Sequence, residues 1–300
     1  MSISVADRDG VPAPDDPLVS PGERGGLHHV FRERYLLRLL VRKELAARYQ
    51  GSLLGLFWSY VQPAVRFAAY YFVIGFIFQL DKNMTNFPIH IFSGMVIVHY
   101  FTETFSSGTR SIVKNKRIIQ KLPLPRELFP VASMLVSLYH TFPQLVILLA
   151  GVLLAGWDPS FYDLVCGLLG FTTIAVFGMA LALMFSAANV FFRDFQNIVQ
   201  TFTIFVTWSV PMIYPYDRVE RLVGGTVWEQ VYLANPIANS VVLFQQLFWV
   251  PTVPPDAQYP AVMPDDLYAR GLIILAVCLV FLAIAQRIFT RLEGKFAERL

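Results

Sequence analysis

The sequence predicts an all-α membrane protein with six transmembrane helices and with both termini in the cytoplasm. Hydrophobic residues make up 55% of the 300 residues and charged residues only 15%, which is unusually little charge for a soluble domain of this size. The mean hydropathy is +0.52. Several apolar stretches reach roughly the 20 residues that a helix needs to cross a bilayer. Lys and Arg are concentrated in alternate connecting segments, as expected of loops that stay in the cytoplasm.

The N-terminal part of the chain predicts two segments before the first span. Residues 1–27 are rich in Pro, Gly and Asp and predict a disordered cytoplasmic tail. Residues 28–56 predict an interface segment with a helix over 30–49, which suits the anionic inner leaflet of a membrane. A plain soluble helix before the membrane is the alternative. The cations that would face the leaflet are Arg34, Arg38, Arg42, Lys43 and Arg48.

A transmembrane domain is predicted over 57–290, followed by a cytoplasmic tail over 291–300. The fourth span contains Gly167 and Gly170, and such small residues allow membrane helices to approach closely. Cys166 and Cys278 fall inside spans and predict two free thiols. The predicted spans cover about 57–80, 87–107, 128–155, 161–187, 198–214 and 268–289.

The most cationic part of the chain is the loop between the second and third spans, residues 108–127, which we call the cationic loop. It predicts a short helix over 109–121 that Pro123 and Pro125 terminate. The charge by itself favours a solvated topology signal, and a contact surface for a soluble protein is the alternative. The candidate contact residues are Arg110, Lys114, Lys116, Arg117, Ile118, Lys121, Arg126 and Glu127.

The segment 215–266, before the last span, is too long for an ordinary loop. Within it, Ala238–Val250 is apolar but only about half the length of a span. It predicts either a re-entrant piece or an interfacial helix anchored by Phe248 and Trp249. A preceding helix near 226–233 is closed by Asn235-Pro236. The candidate outer-gate residues are Trp228, Asn235, Pro236, Phe248 and Trp249.

Two ionisable residues inside predicted spans require a partner, because an unpaired charge in hydrocarbon costs several kcal/mol. Arg66 and Glu103 are predicted to pair or to share a polar cavity. They could meet an anionic headgroup in a conduit or simply hold two helices together. Aromatic rings can stack on sugars, although spans and membrane interfaces also favour them. The candidates for a conduit or headgroup site are Trp58, Tyr60, Arg66, Glu103, Trp208 and Tyr214.

The sequence offers no catalytic or metal-binding constellation, and we expect no cofactor in this chain. It contains no G-x-x-x-x-G-K-[ST] loop, so any use of ATP would require another chain. The net charge of +3 is too small to indicate binding to nucleic acid. These observations by themselves predict no catalytic role for this chain.

Five motifs resemble a known family. Arg48–Pro63, RYQGSLLGLFWSYVQP, is similar to the beginning of type-2 ABC exporter permeases for polysaccharides. LPLPRE at the end of the cationic loop, NVFFRD at 189–194, WSVPMIY at 208–214 and Asn235-Pro236 follow in the order found in that family. The resemblance covers about 30–295. It is closest to the O-antigen and teichoic-acid exporter permeases (Wzm- and TagG-like), and above all to actinobacterial galactan exporter permeases.

The resemblance implies a permease domain in the plasma (inner) membrane that works as a homodimer with two ABC ATPase subunits. The ATPases would bind ATP and Mg²⁺, with 109–121 as a coupling helix, 30–49 as an interface helix and the helices around 226–250 as a gate. The implied cargo is a polysaccharide on polyprenyl diphosphate, moving through a conduit between the two copies. The competing interpretation is a membrane-embedded glycosyltransferase or acyltransferase that acts on the same lipid-linked glycan.

Overall fold

The computed structural model describes residues 26–53, 55–122 and 124–300. Within these ranges every regular element is a helix, so the all-α prediction is confirmed there. Most of the predicted disordered tail and the helix-breaking Pro123 lie outside them. The α-helices, in chain order, are α1 (Gly26–Arg32), α2 (Arg34–Tyr49), α3 (Trp58–Tyr70), α4 (Phe87–Lys114), α5 (Lys116–Ile119), α6 (Leu128–Leu154), α7 (Phe161–Phe191), α8 (Phe195–Ser209), α9 (Tyr216–Val223), α10 (Val227–Leu233), α11 (Pro236–Phe248), α12 (Leu267–Glu293) and α13 (Phe296–Arg299).

The predicted interface helix is present, but it is interrupted. Glu33 separates α1 from α2, since its backbone (φ −91°, ψ 40°) is not helical. Helix α1 begins at Gly26, so the last two residues of the predicted tail are helical. Helix α2 has no buried residue and lies along α6. It is therefore a surface helix that is attached to the bundle along one side.

Three helices, α6, α7 and α12, are long and apolar enough to cross a membrane. Helix α4 is longer than α6, with 28 residues, but it carries Glu103, Arg110 and Lys114. The predicted first span divides into α3 and a π-helical continuation, Tyr71–Ile77. Helix α8 has 15 residues, fewer than the roughly 20 that a span usually requires. The described chain is a multi-pass helical bundle, and the number of six spans stays a prediction.

The cationic loop is shorter than predicted because α4 continues into it. Helix α4 ends at Lys114 and the single turn α5 follows, so the prediction of one separate helix over 109–121 is wrong. Asn115 separates the two helices. Its side-chain amide donates to the carbonyl oxygen of Ser111 at 2.9 Å, and such local side-chain bonds compete with the helical main-chain pattern.

Helix α7 lies at the centre of the bundle, in contact with α4, α6, α11 and α12. Its glycines allow the close approach that the sequence predicts. A Cβ atom at Gly170 would lie 2.8 Å from the Cβ atom of Leu243 and 2.9 Å from the carbonyl oxygen of Ser240. Gly167 faces Leu247 even more closely. The backbones of α7 and α11 therefore come nearly into contact, as small residues permit between membrane helices.

Helix α11 is a half-length helix enclosed by α4, α7 and α12. Its 13 residues extend over about 20 Å. The ring of Phe248 stacks on Trp157 with centroids 5.8 Å apart, and the indole nitrogen of Trp249 donates to the carbonyl oxygen of Thr85 at 2.9 Å. Since both rings are buried, the interfacial alternative with these two anchors is wrong. The enclosed position fits the re-entrant alternative.

The C-terminal segment packs against the cationic loop and is not a separate tail over 291–300. Phe296 is fully buried, and its ring lies edge-on to Phe289 with centroids 5.5 Å apart. The guanidinium of Arg126 lies 5.8 Å from the centroid of the Phe296 ring, and its Nη1 donates to the carbonyl oxygen of Glu293. This segment therefore fixes the end of the cationic loop to α12.

Replacement of Gly170 by Ala should lower the melting temperature of the detergent-solubilised protein. The added methyl group would overlap α11, and overpacking of this kind costs about 1–3 kcal/mol. Gly151→Ala is the matched control, because Gly151 also lies inside a long helix and a Cβ atom there meets nothing within 4 Å. Equal melting temperatures for the two variants would contradict the close contact between α7 and α11.

Candidate functional site

Helices α3, α4 and α8 form an open groove with a partly polar lining. Arg66 faces this groove, and it has no hydrogen bond or ion pair with another described residue. A cation among apolar helices requires an anion, a polar partner or water, so the groove provides an anion-accepting position. The groove has a volume of about 110 Å³ and is lined by Arg66, Tyr70, Met95, Val98, His99, Thr102, Thr207 and Met212.

Glu103 pairs with Arg48 and not with Arg66, so the predicted Arg66–Glu103 pair is wrong. Nη1 of Arg48 lies 2.5 Å from Oε1 of Glu103, which directs the carboxylate towards α2. His99, one helical turn earlier in α4, faces the groove together with Arg66. Depth along the spans, which suggests the Arg66–Glu103 pair, does not determine the direction of a side chain around the helix axis.

A further set of polar side chains connects α2, α3, α4 and α6. The hydroxyl of Tyr49 lies 3.0 Å from Nδ1 of His140, and Oγ of Ser59 lies 3.2 Å from the same nitrogen. Nε2 of Gln144 lies 2.7 Å from Nδ1 of His99. Sequence reasoning did not select these residues. Histidine and glutamine inside apolar spans are the signal that could have found them, since intramembrane polar residues often mark functional sites.

Helix α2 is also tied to the end of α4 that enters the cationic loop. Nζ of Lys114 lies 2.6 Å from Oε1 of Glu44, and Nζ of Lys43 donates to Oδ1 of Asn115 at 2.9 Å. Together with the ion pair of Arg48, these contacts hold α2 against α4 at two positions and against Asn115, directly after α4, at a third. The other candidate cations of α2 are exposed and have no hydrogen-bond or ion-pair partner among the described residues: Arg34, Arg38 and Arg42.

The cationic loop presents only part of its charge on the surface. Glu127 is 2% exposed and accepts a hydrogen bond from Nε2 of Gln286 at 2.9 Å, while Arg126 is directed towards α13. Glu127 is therefore not an exposed contact residue, contrary to the prediction. Its carboxylate lies at the N-terminus of α6, where the helix dipole favours negative charge. The exposed candidates are Lys114, Arg117 and Lys121, and the partly buried ones are Arg110, Lys116 and Ile118.

Two of the four aromatic candidates for a conduit are exposed on the helices that form the groove. Trp58 is the first residue of α3, and Trp208 lies near the end of α8. Tyr60 is partly buried. The hydroxyl of Tyr214 lies 3.3 Å from that of Tyr232, so this side chain is directed towards α10. Trp58 and Trp208 thus remain available to a ligand, a lipid or a second protein.

The candidate outer-gate residues have different positions. The side chain of Asn235 caps α11 by accepting a hydrogen bond from the backbone N–H two residues later at 3.0 Å, and Pro236 occupies the first helical position. Both residue types favour the start of a helix at these places. Trp228 of α10 is exposed, whereas Phe248 and Trp249 are buried. Trp228 is therefore the one aromatic candidate in this set with an accessible ring.

Comparison with known proteins gives both a family and relatives. The model of the ABC-2 type transporter family matches residues 35–249. The O-antigen export system permease protein RfbA of Myxococcus xanthus is 26% identical over 275 residues, which cover 91% of this chain and 98% of that protein. Two proteins of the same name from Klebsiella pneumoniae are each 25% identical over 269 residues, which cover 88% of this chain and 95% of those proteins. The family match includes the groove, the cationic loop and α11.

Exchange of the two charges between Arg48 and Glu103 should recover stability that each single change removes. We expect Arg48→Glu or Glu103→Arg to place like charges together and to destabilise the protein by about 1–3 kcal/mol, between the costs typical of exposed and buried pairs. The double exchange should restore much of the melting temperature. Additive losses in the double variant would show that the two side chains do not interact.

Proposed function

This chain belongs to the ABC-2 type transporter family, and on that premise we propose that it is the permease subunit of a polysaccharide exporter. The observation that supports this proposal most strongly is the extent of the similarity. Relatives named as O-antigen export permeases align with about nine-tenths of the chain. The five motifs at Arg48–Pro63, in the cationic loop, at 189–194, at 208–214 and at Asn235-Pro236 support the same assignment.

The proposed topology has six spans with both termini in the cytoplasm of a plasma (inner) membrane. The spans would be α3 with its π-helical continuation, α4, α6, α7, α8 and α12. The distribution of charge supports this orientation, because the cationic loop shares one end of the bundle with Arg291 and Lys295. The opposite end carries few cations, namely Lys82, Arg218, Arg221 and Arg270.

The energy for export would come from two ABC ATPase subunits that bind ATP and Mg²⁺. This chain has no nucleotide-binding loop of its own. The exposed charges of Arg117 in α5 and of Lys121 just after it provide a surface for one such subunit on each permease copy. Since charge complementarity guides the docking of proteins, a negatively charged cleft on the ATPase is the expected counterpart.

The conduit is proposed to form between two copies of this chain. One copy has only an open groove, whose side chains Arg66, His99 and Thr102 would face a second copy. Trp58 and Trp208 would offer rings for stacking on sugars. The free cation of Arg66 suits the diphosphate of a polyprenyl-diphosphate-linked polysaccharide of the galactan, O-antigen or teichoic-acid type, because guanidinium groups bind phosphate in a bidentate manner.

The contacts of α2 suggest how the ATPase surface is coupled to the groove. A displacement of α5 would move the end of α4, and Glu44–Lys114 would transfer that movement to α2. The Arg48–Glu103 pair joins α2 to α4 again, one helical turn from His99 in the groove. Closure of the ATPases on ATP would therefore act on the groove through α4 and α2 together.

Depletion of this protein in its host tests the proposed function directly. We expect full-length lipid-linked polysaccharide to accumulate on the cytoplasmic side, because synthesis continues while export stops. The measurement is the accessibility of the polymer to a lectin or antibody before and after the membrane is opened. Loss of the polymer with accumulation of its lipid precursors would instead support the glycosyltransferase or acyltransferase alternative.

Reversal of charge at the proposed ATPase surface should uncouple export from ATP hydrolysis. In the variant Arg117→Glu with Lys121→Glu, we expect membrane insertion to be normal and export to fall at least about tenfold, since repulsion of more than about 1.4 kcal/mol at docking has that effect. The measurement is polymer exported per amount of protein in the membrane.

A charge reversal away from this surface provides the control. Arg291 is exposed near the end of α12, and Arg291→Glu should leave export nearly unchanged. If the control and the double variant lose export equally, the effect arises from topology or general charge and not from docking at Arg117 and Lys121.

A further inference from the structure

A cavity of about 610 Å³ lies at the end of the bundle opposite to the cationic loop. Helix α4 begins beside this cavity at Phe87 and ends at Lys114, so its 28 residues separate the two ends by about 42 Å. The cavity is therefore far from the proposed ATPase surface, and it is distinct from the groove because the two share no lining residue. Helix α9 provides one wall, and residues from two other segments provide the opposite wall. The lining includes Leu80, Met84, Arg218, Arg221, Leu222 and Tyr259.

Two arginines give the cavity a positive charge. Nη2 of Arg221 lies 2.6 Å from Oδ2 of Asp217, and its Nε donates to the carbonyl oxygen of Asp217 at 3.3 Å. These bonds hold one guanidinium in place. Arg218 has no hydrogen bond or ion pair with a described residue. Arg218, Arg221 and Asp217 together give the site a net positive charge. The planar set of N–H donors of arginine matches the oxygen atoms of phosphate.

The wall opposite α9 is held in position by hydrogen bonds. Oγ1 of Thr85 donates to the carbonyl oxygen of Tyr259 at 3.2 Å, and Nδ2 of Asn86 donates to the carbonyl oxygen of Thr252 at 2.6 Å. The indole of Trp249 also donates to Thr85. The segment before α12 is thus fixed to the loop before α4. Preformed walls of this kind are typical of ligand sites, and so is the volume.

Exposed apolar side chains continue from the cavity lining into the next helix. Leu222 of α9 lines the cavity and is 84% exposed, and Val227 and Trp228 of α10 are 76% and 71% exposed. Exposed Leu and Val side chains beside a Trp are expected where a protein meets the boundary between lipid chains and headgroups. Arginines next to such side chains favour lipids with anionic headgroups. The combination suits a ligand with a phosphate at one end and hydrocarbon at the other.

We propose that this cavity binds the phosphate group of a lipid, with Arg218 and Arg221 as the phosphate ligands and the acyl or prenyl chain along Leu222, Val227 and Trp228. Two lipids share this chemistry. One is an anionic phospholipid of the outer leaflet. The other is the polyprenyl diphosphate carrier after translocation, and this second source rests on the proposed function.

The test is lipid binding by the full-length chain in neutral detergent, measured by native mass spectrometry. The probes are phosphatidylglycerol, polyprenyl diphosphate and a diacylglycerol with matched acyl chains. We expect the double variant Arg218→Gln with Arg221→Gln to bind the phosphate-bearing probe at least about tenfold more weakly, equivalent to about 1.4 kcal/mol. The single variant Arg218→Gln, which keeps the Arg221–Asp217 pair, should have an intermediate effect.

The charge-matched control is Lys82→Gln with Arg270→Gln, which removes two cations from the same end of the molecule outside the cavity lining. We expect its affinity to stay within about twofold of the unmodified chain, a difference of about 0.4 kcal/mol. Melting temperatures of all variants establish that they are folded.

The outcomes distinguish a phospholipid ligand from the polyprenyl diphosphate carrier, and they also show whether the proposal fails. Tight binding of phosphatidylglycerol identifies a phospholipid site, and selective binding of polyprenyl diphosphate identifies a carrier site. Equal losses in the double variant and the control, or equal binding of diacylglycerol, would overturn the proposal. The phosphatidylglycerol experiment does not depend on export, so it remains decisive even if the depletion experiment rejects the exporter function.

Discussion

The contact between the backbones of α7 and α11 is the constraint on which the rest of the structure depends. Helix α11 is too short to cross a membrane, and its polar groups have to be enclosed by protein because lipid provides no hydrogen-bond partners. Gly167 and Gly170 leave the space that makes this enclosure possible. On its other side, Nε2 of Gln245 donates to the carbonyl oxygen of Pro211 at 2.8 Å, which joins α11 to the segment after α8. The whole lobe from α9 to α11 is positioned by these contacts.

Helix α4 connects the three surfaces to which we assign functions. It begins next to the arginine-lined cavity, contributes His99 to the groove and ends at Lys114 beside the proposed ATPase surface. A continuous helix is stiff along its axis, so a change at one end is transmitted to the other. The contacts that α2 makes with Glu103, Lys114 and Asn115 add a second connection over the half of α4 nearest the cationic loop. The proposed export, driven from one face, would require such a connection, because a bundle joined only by apolar packing would allow more sliding between helices.

Features that depend on local patterns could be predicted from the sequence. Apolar length identified α6, α7 and α12 as candidate spans, and Asn235-Pro236 marked the end of the helix predicted near 226–233, which the structure ends at Leu233. Features that depend on distant contacts could not. The partner of Glu103 is Arg48, which lies 55 residues away in the chain. Which residue pairs with Glu103 depends on the side of α4 that α2 covers. The burial of Glu127 likewise depends on Gln286, at the far end of the chain. Exposure of charge was therefore overestimated in the cationic loop.

The length of α8 has a consequence for the membrane itself. If α8 crosses the bilayer, as proposed, its 15 residues provide about 22 Å of helix against a hydrocarbon layer of about 30 Å. Such a mismatch is relieved by local thinning of the bilayer or by polar residues that extend from the helix ends towards the surface. Because α8 also borders the groove, the thinned region would lie where a charged headgroup crosses. The protein would then lower the barrier to translocation partly by deforming the lipid around it.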